Sequence, residues 1–169
     1  NAERILQLVN QLMDIRKIDK GQMSLMFKKA EIVSFTRDLL ETFEQQTRVK
    51  KLDLKFHTSA PEIEMWIDPK NFDKIILNLL SNACKFTPEN GQVEISLSTG
   101  EDTHLPQNAP LRRYVELTVA DSGIGIASTE REHIFERFYQ IRNSQNNSNI
   151  GTGIGLHLTR SFVELHYGN

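Results

Sequence analysis

The spacing of apolar residues changes along the chain from helical to alternating and back, and this limits the possible folds most. Apolar residues recur every three or four positions from the first residues to near Gly21, over 32–48, over 71–86 and over 128–136, and in a last helix reaching Tyr167. Residues 51–57, 64–68, 92–98 and 114–121 have the alternating or short apolar pattern of strands. This order predicts an α+β fold, a two-layer α/β sandwich with helices covering one face of a mostly antiparallel sheet.

The opening segment has the pattern of a long amphipathic helix. Ile5, Leu8, Leu12 and Ile15 form an apolar stripe, and no N-cap sequence precedes it, which suggests a helix cut from a longer protein. A lone helix of about 20 residues cannot bury such a stripe by itself. We therefore expect it to pack on its own domain or on a partner helix from the parent protein or a second subunit.

Charge, cysteine content and hydropathy exclude several classes of protein. Twenty Lys and Arg against 22 Asp and Glu give a formal net charge of -2, without the basic surplus of a dedicated nucleic-acid binder. The single cysteine, Cys84, excludes an intrachain disulfide and a Cys-rich zinc site. No apolar run approaches the roughly 18 residues that span a bilayer. The composition predicts a soluble domain of a reducing compartment.

The predicted helix over 71–86 carries two asparagines on one face. Asn78 and Asn82 are four residues apart, with Lys85 beside them, and asparagine is a mediocre helix former. Their amide oxygens could ligate a hard cation such as Mg²⁺, and their amide nitrogens and Lys85 could bind phosphate. On these residues alone, a solvated polar face is the simpler interpretation.

Two glycine-rich segments are candidates for ligand contact. Asp121 ends a predicted strand and is suited to accept a hydrogen bond from an exocyclic amine such as that of adenine, while Gly123 and Gly125 permit a tight turn after it. Residues 151–156 supply unhindered backbone N–H groups before a helix, a natural anion site, although they match neither a P-loop nor a dinucleotide fingerprint. A strand-to-helix connection and a flexible hinge are the simpler alternatives. The Asn- and Ser-rich stretch over 142–149 could fold over a nucleotide as a lid.

The order of four motifs resembles the catalytic ATP-binding domain of sensor histidine kinases. The motifs are Asn-Leu-Leu-Ser-Asn-Ala-Cys-Lys-Phe-Thr-Pro at 78–88, Asp-Ser-Gly-Ile-Gly-Ile at 121–126, Ile-Phe-Glu-Arg-Phe-Tyr at 134–139 and Gly-Thr-Gly-Ile-Gly-Leu at 151–156. In family terms they are the asparagine box, the first glycine box, the phenylalanine box and the second glycine box. The resemblance covers about 32–169, and the segment Gln11–Asp19 is similar to the second helix of the family's dimerisation and phosphotransfer hairpin.

The resemblance implies a Bergerat-type ATP-binding fold, a domain division and a role for each matching residue. Residues 1–24 would be the hairpin helix, and residues 25–169 the catalytic domain. Asn78 would ligate Mg²⁺ and act in catalysis with Lys85 and Arg137, and Phe135 and Phe138 would anchor the lid. The remaining implied contacts to ATP are Asn82, Phe86, Asp121, Gly123, Gly125, Ile126, Gly151, Thr152, Gly153, Gly155 and Leu156.

The residue at position 78 favours a kinase over a hydrolase. Gyrase, mismatch-repair and heat-shock ATPases with this fold have a glutamate there as base for water, and an amide is not a usable general base at neutral pH. We therefore expect transfer of the ATP γ-phosphoryl group to a histidine on the hairpin, and then to a response-regulator aspartate. The alternative is a regulatory module that binds ATP without catalysis. An ATP-hydrolysing clamp is disfavoured by Asn78.

Two departures from the family pattern affect these expectations. The acceptor histidine would lie upstream of residue 1, since His57, His104, His133, His157 and His166 match no acceptor motif. The family continues through two further strands after residue 169, so the C-terminal strands are expected to be truncated. The implied partners are the hairpin that carries the histidine, a receiver domain and a second copy of the parent, without nucleic acid. By family analogy the domain is the cytoplasmic portion of a membrane-anchored sensor.

Overall fold

The computed structural model describes residues 2–104, 112–141 and 151–169, and they form an α+β fold, as predicted. The elements in chain order are α1 (Ala2–Asp19), β1 (Lys28–Glu31), α2 (Ile32–Glu41), α3 (Glu44–Val49), β2 (Asp53–Thr58), β3 (Glu64–Ile67), α4 (Pro69–Phe86), β4 (Gln92–Glu101), β5 (Arg113–Asp121) and α5 (Gly155–Leu165).

These elements divide into two compact units. One, which we call the helix unit, comprises Asn1–Phe27, Ile67–Leu79 and Gly125–Asn169. The other, the strand unit, comprises Lys28–Trp66 and Leu80–Ile124. Helix α4 contributes residues to both.

The strand unit contains a mixed sheet with the order β2-β4-β5. Strand β2 pairs with β4 in parallel, with Leu54 opposite Val93, and β4 pairs with β5 antiparallel, with Ile95 opposite Val119. Alternate residues of β4, namely Val93, Ile95 and Leu97, are buried, as the sequence pattern predicted. The expectation of a mostly antiparallel sheet did not include the parallel pairing of β2 with β4, because alternation predicts a buried face and not the direction of a neighbour.

Strand β1 was not predicted, and the helix predicted over 32–48 is two helices. Strand β1 pairs with β3 and ends at Glu31, whose carboxylate accepts hydrogen bonds from Val33 N (2.9 Å), Ser34 N (2.7 Å) and Ile63 N (2.9 Å). Glu31 is thus the N-cap of α2 and also holds the segment before β3. Helix α2 ends where the hydroxyl of Thr42 donates to Leu39 O (2.6 Å), a side-chain bond that competes with helix continuation.

The helix unit is built on α1, the first part of α4, and α5. Ile76 and Phe162 are fully buried, and Ile15 of α1 is nearly so. The ammonium of Lys74 binds Asp14 of α1 (2.6 Å) and lies 5.1 Å from the centre of the Phe162 ring, which joins the three helices. Other apolar side chains of α1 stay 46 to 61% exposed, namely Ile5, Leu6, Val9, Leu12 and Met13.

The segment over 128–136 forms successive turns, so the helix predicted there is wrong. Most of its backbone bonds span three residues, such as His133 N to Glu130 O (3.0 Å) and Glu136 N to His133 O (2.8 Å). Its side chains bond locally, with Glu130 accepting from the nearby Tyr139 and His133 bonded to Glu136 (2.7 Å). These local bonds replace the continuous four-residue pattern of a helix.

No helix among the described residues is long and apolar enough to cross a bilayer. The predicted lid over 142–149 lies outside the described residues.

Candidate functional site

Helix α4 carries four of the predicted site residues, and its start is fixed by Asp68. The carboxylate of Asp68 accepts hydrogen bonds from Met26 N (2.8 Å), Asn71 N (3.2 Å) and Asn71 Nδ2 (3.2 Å). Partial burial acts to raise the pKa of this carboxyl, but these hydrogen bonds outweigh it, and the pKa lies below its ordinary value. The ionised carboxylate caps α4 and so fixes where the helix begins.

Asn78 packs against the first turn of α5, within the helix unit. Its amide nitrogen donates to Thr159 Oγ1 (2.7 Å), and that hydroxyl in turn donates to Gly155 O (3.1 Å). A Cβ at Gly155 would lie 2.2 Å from Asn78 Oδ1, so a side chain at position 155 would displace the amide. The structure thus brings together two predicted residues, Asn78 and Gly155, by close contact. Thr159 was not predicted, since a threonine inside a helix gives no signal of its own.

The bond to Thr159 also decides how the amide of Asn78 is oriented. Because the nitrogen is committed to the threonine hydroxyl, the amide oxygen is turned toward Gly155, where no side chain stands. An amide oxygen is a suitable ligand for a hard cation such as Mg²⁺. The donor chemistry at Asn78 therefore fits the predicted role. No group of three or more His, Cys, Asp or Glu side chains that could hold a metal occurs among the described residues.

The C-terminal turn of α4 lies in the strand unit and carries Lys85 and Phe86. The ammonium of Lys85 lies 4.7 Å from the centre of the Phe86 ring, which is 43% exposed, and Asn82 is half-buried. The ammonium of Lys50 donates to the carbonyl oxygens of Cys84 (2.8 Å), Lys85 (3.1 Å) and Thr87 (2.8 Å). An exposed aromatic ring beside a cation offers a stacking surface next to a positive charge.

The turn after β5 lies in the same unit and is packed on this end of α4. Asp121 is exposed, and its Oδ1 accepts a hydrogen bond from Gly123 N (2.8 Å). A Cβ at Gly123 would lie 2.5 Å from that oxygen and 2.7 Å from Phe86 O. Ser122 closes the turn from the other side, donating its backbone N–H to Gln92 O (2.9 Å) while its hydroxyl accepts from Gln92 N (2.8 Å). Asp121 and Phe86 are therefore held near each other by Gly123.

The rest of the first glycine box lies in the helix unit. Gly125 adopts a φ of +70°, which a side chain rarely tolerates, and a Cβ there would meet no atom within 4 Å. Ile126 is 40% exposed. The space around Gly125 is therefore open, whereas the space around Gly123 is filled by neighbouring atoms.

Arg137 of the phenylalanine box is bound to the end of α1. Its guanidinium donates to both carboxylate oxygens of Asp19, at 2.8 Å from Nη1 to Oδ2, and its Nε bonds to His157 Nε2 (2.9 Å). The hydrogen bond from Arg137 lowers the pKa of Asp19 below its ordinary value and raises that of the guanidinium. The side chains of Arg137 and Asp19 are 40% and 43% exposed.

The second glycine box leads into α5 and contacts the phenylalanine box. Gly153 O accepts from Phe138 N (2.8 Å), and Gly151 O accepts from Gln140 Nε2 (3.0 Å). Thr152 Oγ1 accepts from Ile154 N (3.2 Å) and bonds to Gln11 Oε1 of α1 (3.3 Å). Gly155 begins α5, and the next residue, Leu156, is half-buried. Phe138 is 62% exposed and Phe135 is half-buried, so the two rings differ in exposure.

The part of the chain that contains the four motifs is similar to a known protein family. Residues 67–169 match the family model described as histidine kinase-, DNA gyrase B-, and HSP90-like ATPase. The sensor histidine kinase TmoS of Ectopseudomonas mendocina is 38% identical over 168 residues, which are 99% of this chain and 16% of TmoS. The chain therefore spans about a sixth of the length of that relative.

Two solved structures give the same result for the fold. The nucleotide-free catalytic domain of histidine kinase ThkA is similar with a TM-score of 0.67 and 26% identity, over 84% of this chain and 82% of that one. Full-length ShkA, solved in complex with AMPPNP, is similar with a TM-score of 0.74 and 25% identity, over 95% of this chain and 30% of that one.

The matched residues 67–169 make up more than half of the chain and include Asn78, Asp121 and Gly155. This extent of similarity, together with the fold shared with the catalytic domain of ThkA, assigns the family. The chain belongs to the histidine kinase-, DNA gyrase B- and HSP90-like ATPases.

Proposed function

We propose that this chain is the ATP-binding catalytic part of a sensor histidine kinase. It binds Mg·ATP and donates the γ-phosphoryl group to a histidine on a dimerisation hairpin, from which a response-regulator aspartate receives it. The observation that carries the proposal is Asn78, whose amide nitrogen is held by Thr159 at 2.7 Å, where a hydrolase of this fold would need a carboxylate base.

In this proposal Asn78 and Lys85 act on the phosphates. Asn78 Oδ1 holds Mg²⁺, which when bound neutralises charge on the phosphate oxygens. Asn82 and Lys85 bind the phosphate oxygens directly, and Arg137 reaches the terminal phosphate. For Arg137 to do so, its guanidinium exchanges the carboxylate of Asp19 for a phosphate. Catalysis is then positioning and charge neutralisation, because the chain offers no base at position 78.

In this proposal three side chains bind the adenine, namely Asp121, Phe86 and Ile126. Asp121 accepts a hydrogen bond from the adenine amino group through the carboxylate oxygen that Gly123 N does not use. Phe86 offers its exposed ring to the adenine base, and the exposed side chain of Ile126 also contacts the base. The second glycine box supplies backbone N–H groups and the Thr152 hydroxyl to the phosphates, through the residues Gly151, Thr152, Gly153, Gly155 and Leu156. Phe135 and Phe138 anchor the lid.

The proposed partners follow from the same function. Residues 1–24 are the second helix of the hairpin and residues 25–169 are the catalytic domain in this proposal, and the exposed stripe of α1 supports a partner helix. The full-length kinase that contains this chain would be a homodimer. It would phosphorylate a receiver domain and act on the cytoplasmic side of a membrane-anchored sensor. The name of TmoS as a sensor histidine kinase and the AMPPNP bound to ShkA support this reading.

A calorimetric titration with Mg·ATP tests the binding step, with Asp121→Asn alongside. The amide keeps an oxygen for Gly123 N, so the turn is retained while the charge that attracts the adenine amine is lost. We expect saturable, Mg²⁺-dependent binding that Asp121→Asn abolishes. Asp53→Asn, an exposed carboxylate on β2, is the matched control and should bind like the parent chain. Absence of binding by the parent chain with normal circular dichroism would refute the proposal.

Addition of a helical hairpin tests the transfer step. With γ-labelled ATP, label should appear on a hairpin that carries a histidine and should be absent from the same hairpin with alanine in its place. Binding of ATP without any label on the hairpin would assign the chain to the non-catalytic regulatory modules instead.

A further inference from the structure

The ammonium of Lys50 is bound to the end of α4 rather than to solvent or a carboxylate. It donates to the carbonyl oxygens of Cys84, Lys85 and Thr87 at 2.8, 3.1 and 2.8 Å, and these bonds cross 34 to 37 residues of sequence. Lys50 is half-buried, and its backbone carbonyl also accepts from Asn90 N (3.3 Å). A lysine in this position satisfies the carbonyl groups that a helix leaves unpaired at its C-terminus.

The carbonyl that Lys50 does not bind is the one packed against Gly123. Phe86 O is 2.7 Å from where a Gly123 Cβ would lie, and the same Cβ would lie 2.5 Å from Asp121 Oδ1. The last turn of α4 is therefore fixed both by the Lys50 ammonium and by the turn that carries Asp121. Both contacts are made with backbone carbonyl groups, so they fix the turn independently of the conformations of its side chains.

We infer that Lys50 is a positioning residue of the nucleotide site, which sets Lys85 and Phe86 relative to Asp121 through the carbonyls of the α4 end. This inference rests on the proposed function, and it adds a residue outside all four motifs. The physical reason is that a side chain's position depends on the backbone that carries it. A turn held by charge-assisted hydrogen bonds keeps the two side chains in place before ATP arrives, so less order has to be gained on binding.

Lys50→Met tests the inference, because methionine keeps the length of the stem and removes all three donors. We expect its affinity for Mg·ATP to fall about tenfold relative to the parent chain, measured by calorimetry well below the unfolding midpoint of each variant. Lys55→Met is the matched control, since Lys55 makes an exposed pair with Asp53 on β2 (3.1 Å) and should leave the affinity unchanged. Equal affinities of the folded parent chain and folded Lys50→Met would overturn the inference.

A double-mutant cycle separates positioning from a merely structural role. If Lys50 acts by placing Lys85, then Lys50→Met should weaken Mg·ATP binding clearly less in the Lys85→Met background than in the parent chain. A general loss of stability would weaken binding by the same factor in both backgrounds, and that result would overturn the inference.

Two further outcomes are also decisive. If Lys50→Met does not fold, Lys50→Gln keeps one polar end of shorter reach, and it should fold and bind with an affinity between those of the parent chain and Lys85→Met. Unchanged binding by Lys50→Gln would count against the inference. Failure of the parent chain itself to bind Mg·ATP would refute the proposed function and the inference with it, whereas binding that is unchanged in the Lys50 variants refutes the inference alone.

Discussion

The two halves of the first glycine box differ in how they are held. In the strand unit, the turn from Asp121 to Gly123 is closed by reciprocal bonds between Ser122 and Gln92 and is packed on Phe86. In the helix unit, the segment from Gly125 to residue 141 is a series of short turns, and Phe138 is 62% exposed. The first is fixed by backbone bonds continuous with β4 and β5, whereas the second is fixed largely by local and side-chain contacts.

This difference indicates which part of the proposed site is ready for ATP in advance. Side-chain contacts such as the Arg137–Asp19 pair can be exchanged for contacts with a ligand without unfolding a strand. Backbone bonds of a sheet cannot. The turn at Asp121 and Gly123, which we assign to adenine, is therefore preformed, whereas Arg137, which we assign to the terminal phosphate, is held by contacts that a ligand can replace.

The largest expected effect compares alanine at the two glycines of this box. Gly123→Ala would place a methyl group 2.5 Å from Asp121 Oδ1 and 2.7 Å from Phe86 O, and we expect a loss of about 3 kcal/mol in the free energy of unfolding. The methyl group of Gly125→Ala would meet no atom within 4 Å, so only the φ of +70° is unfavourable. We expect it to lower the free energy of unfolding by about 1 kcal/mol. Urea denaturation of both variants measures the difference. Equal losses would show that the turn at Gly123 is not packed as described.

A smaller effect is expected at Glu31, whose carboxylate receives three backbone N–H groups in the strand unit. Burial acts to raise the pKa of Glu31, but these bonds prevail and lower it from 4.5 to about 2. Because the folded pKa is the lower one, the stabilisation is present above pH 4.5 and is lost as the pH falls toward 2. Glu31→Gln should therefore cost about 1 to 2 kcal/mol at neutral pH.

The pH dependence provides the check on Glu31. The difference in unfolding free energy between the parent chain and Glu31→Gln should shrink as the pH is lowered through this window. Glu64→Gln, which removes an exposed pair with Lys29 (2.7 Å), is the control and should show little difference at any pH. A Glu31 difference that stays constant with pH would contradict the assigned role of its charge.

The smallest effect is expected from the Arg137–Asp19 pair, because both side chains are about 40% exposed. Asp19→Asn should lower the unfolding midpoint only slightly, and the change should vanish between about 0.1 and 1 M salt, over which the screening length falls from about 10 to 3 Å. Asp14→Asn is the comparison, since Asp14 is 16% exposed and binds Lys74 at 2.6 Å. Its effect should be larger and less sensitive to salt, and the reverse order would show that exposure does not set the strength of these two pairs.

Local patterns predicted the types of most elements but missed some boundaries and pairings. The helices α1, α4 and α5 and the strands β2 to β5 were predicted close to their observed bounds, because their apolar spacing is a property of the local sequence. Strand β1, with the sequence Lys-Lys-Ala-Glu, has no alternation to reveal it and exists because β3 pairs with it. The turns over 128–136 keep a helical spacing of apolar residues, but local side-chain bonds form there instead of a continuous helix.

The candidate site divides in the same way. The sequence placed Asn78, Lys85, Phe86, Asp121 and the two glycine boxes in order, and the family is confirmed, while the role of each residue stays a prediction. The pairing of Thr159 with Asn78 and of Asp19 with Arg137 could not be predicted, because the two members of each pair are 81 and 118 residues apart in the chain.

The sequence by itself determined which elements form and which residue types stand at the candidate site, since periodicity and motif order depend only on neighbours along the chain. Only the tertiary structure decided the direction of β2 against β4 and the binding of Lys50 to the end of α4. The physical reason is that a hydrogen bond forms between whichever donor and acceptor packing brings within about 3 Å. That proximity depends on the whole fold and leaves no mark in the local pattern.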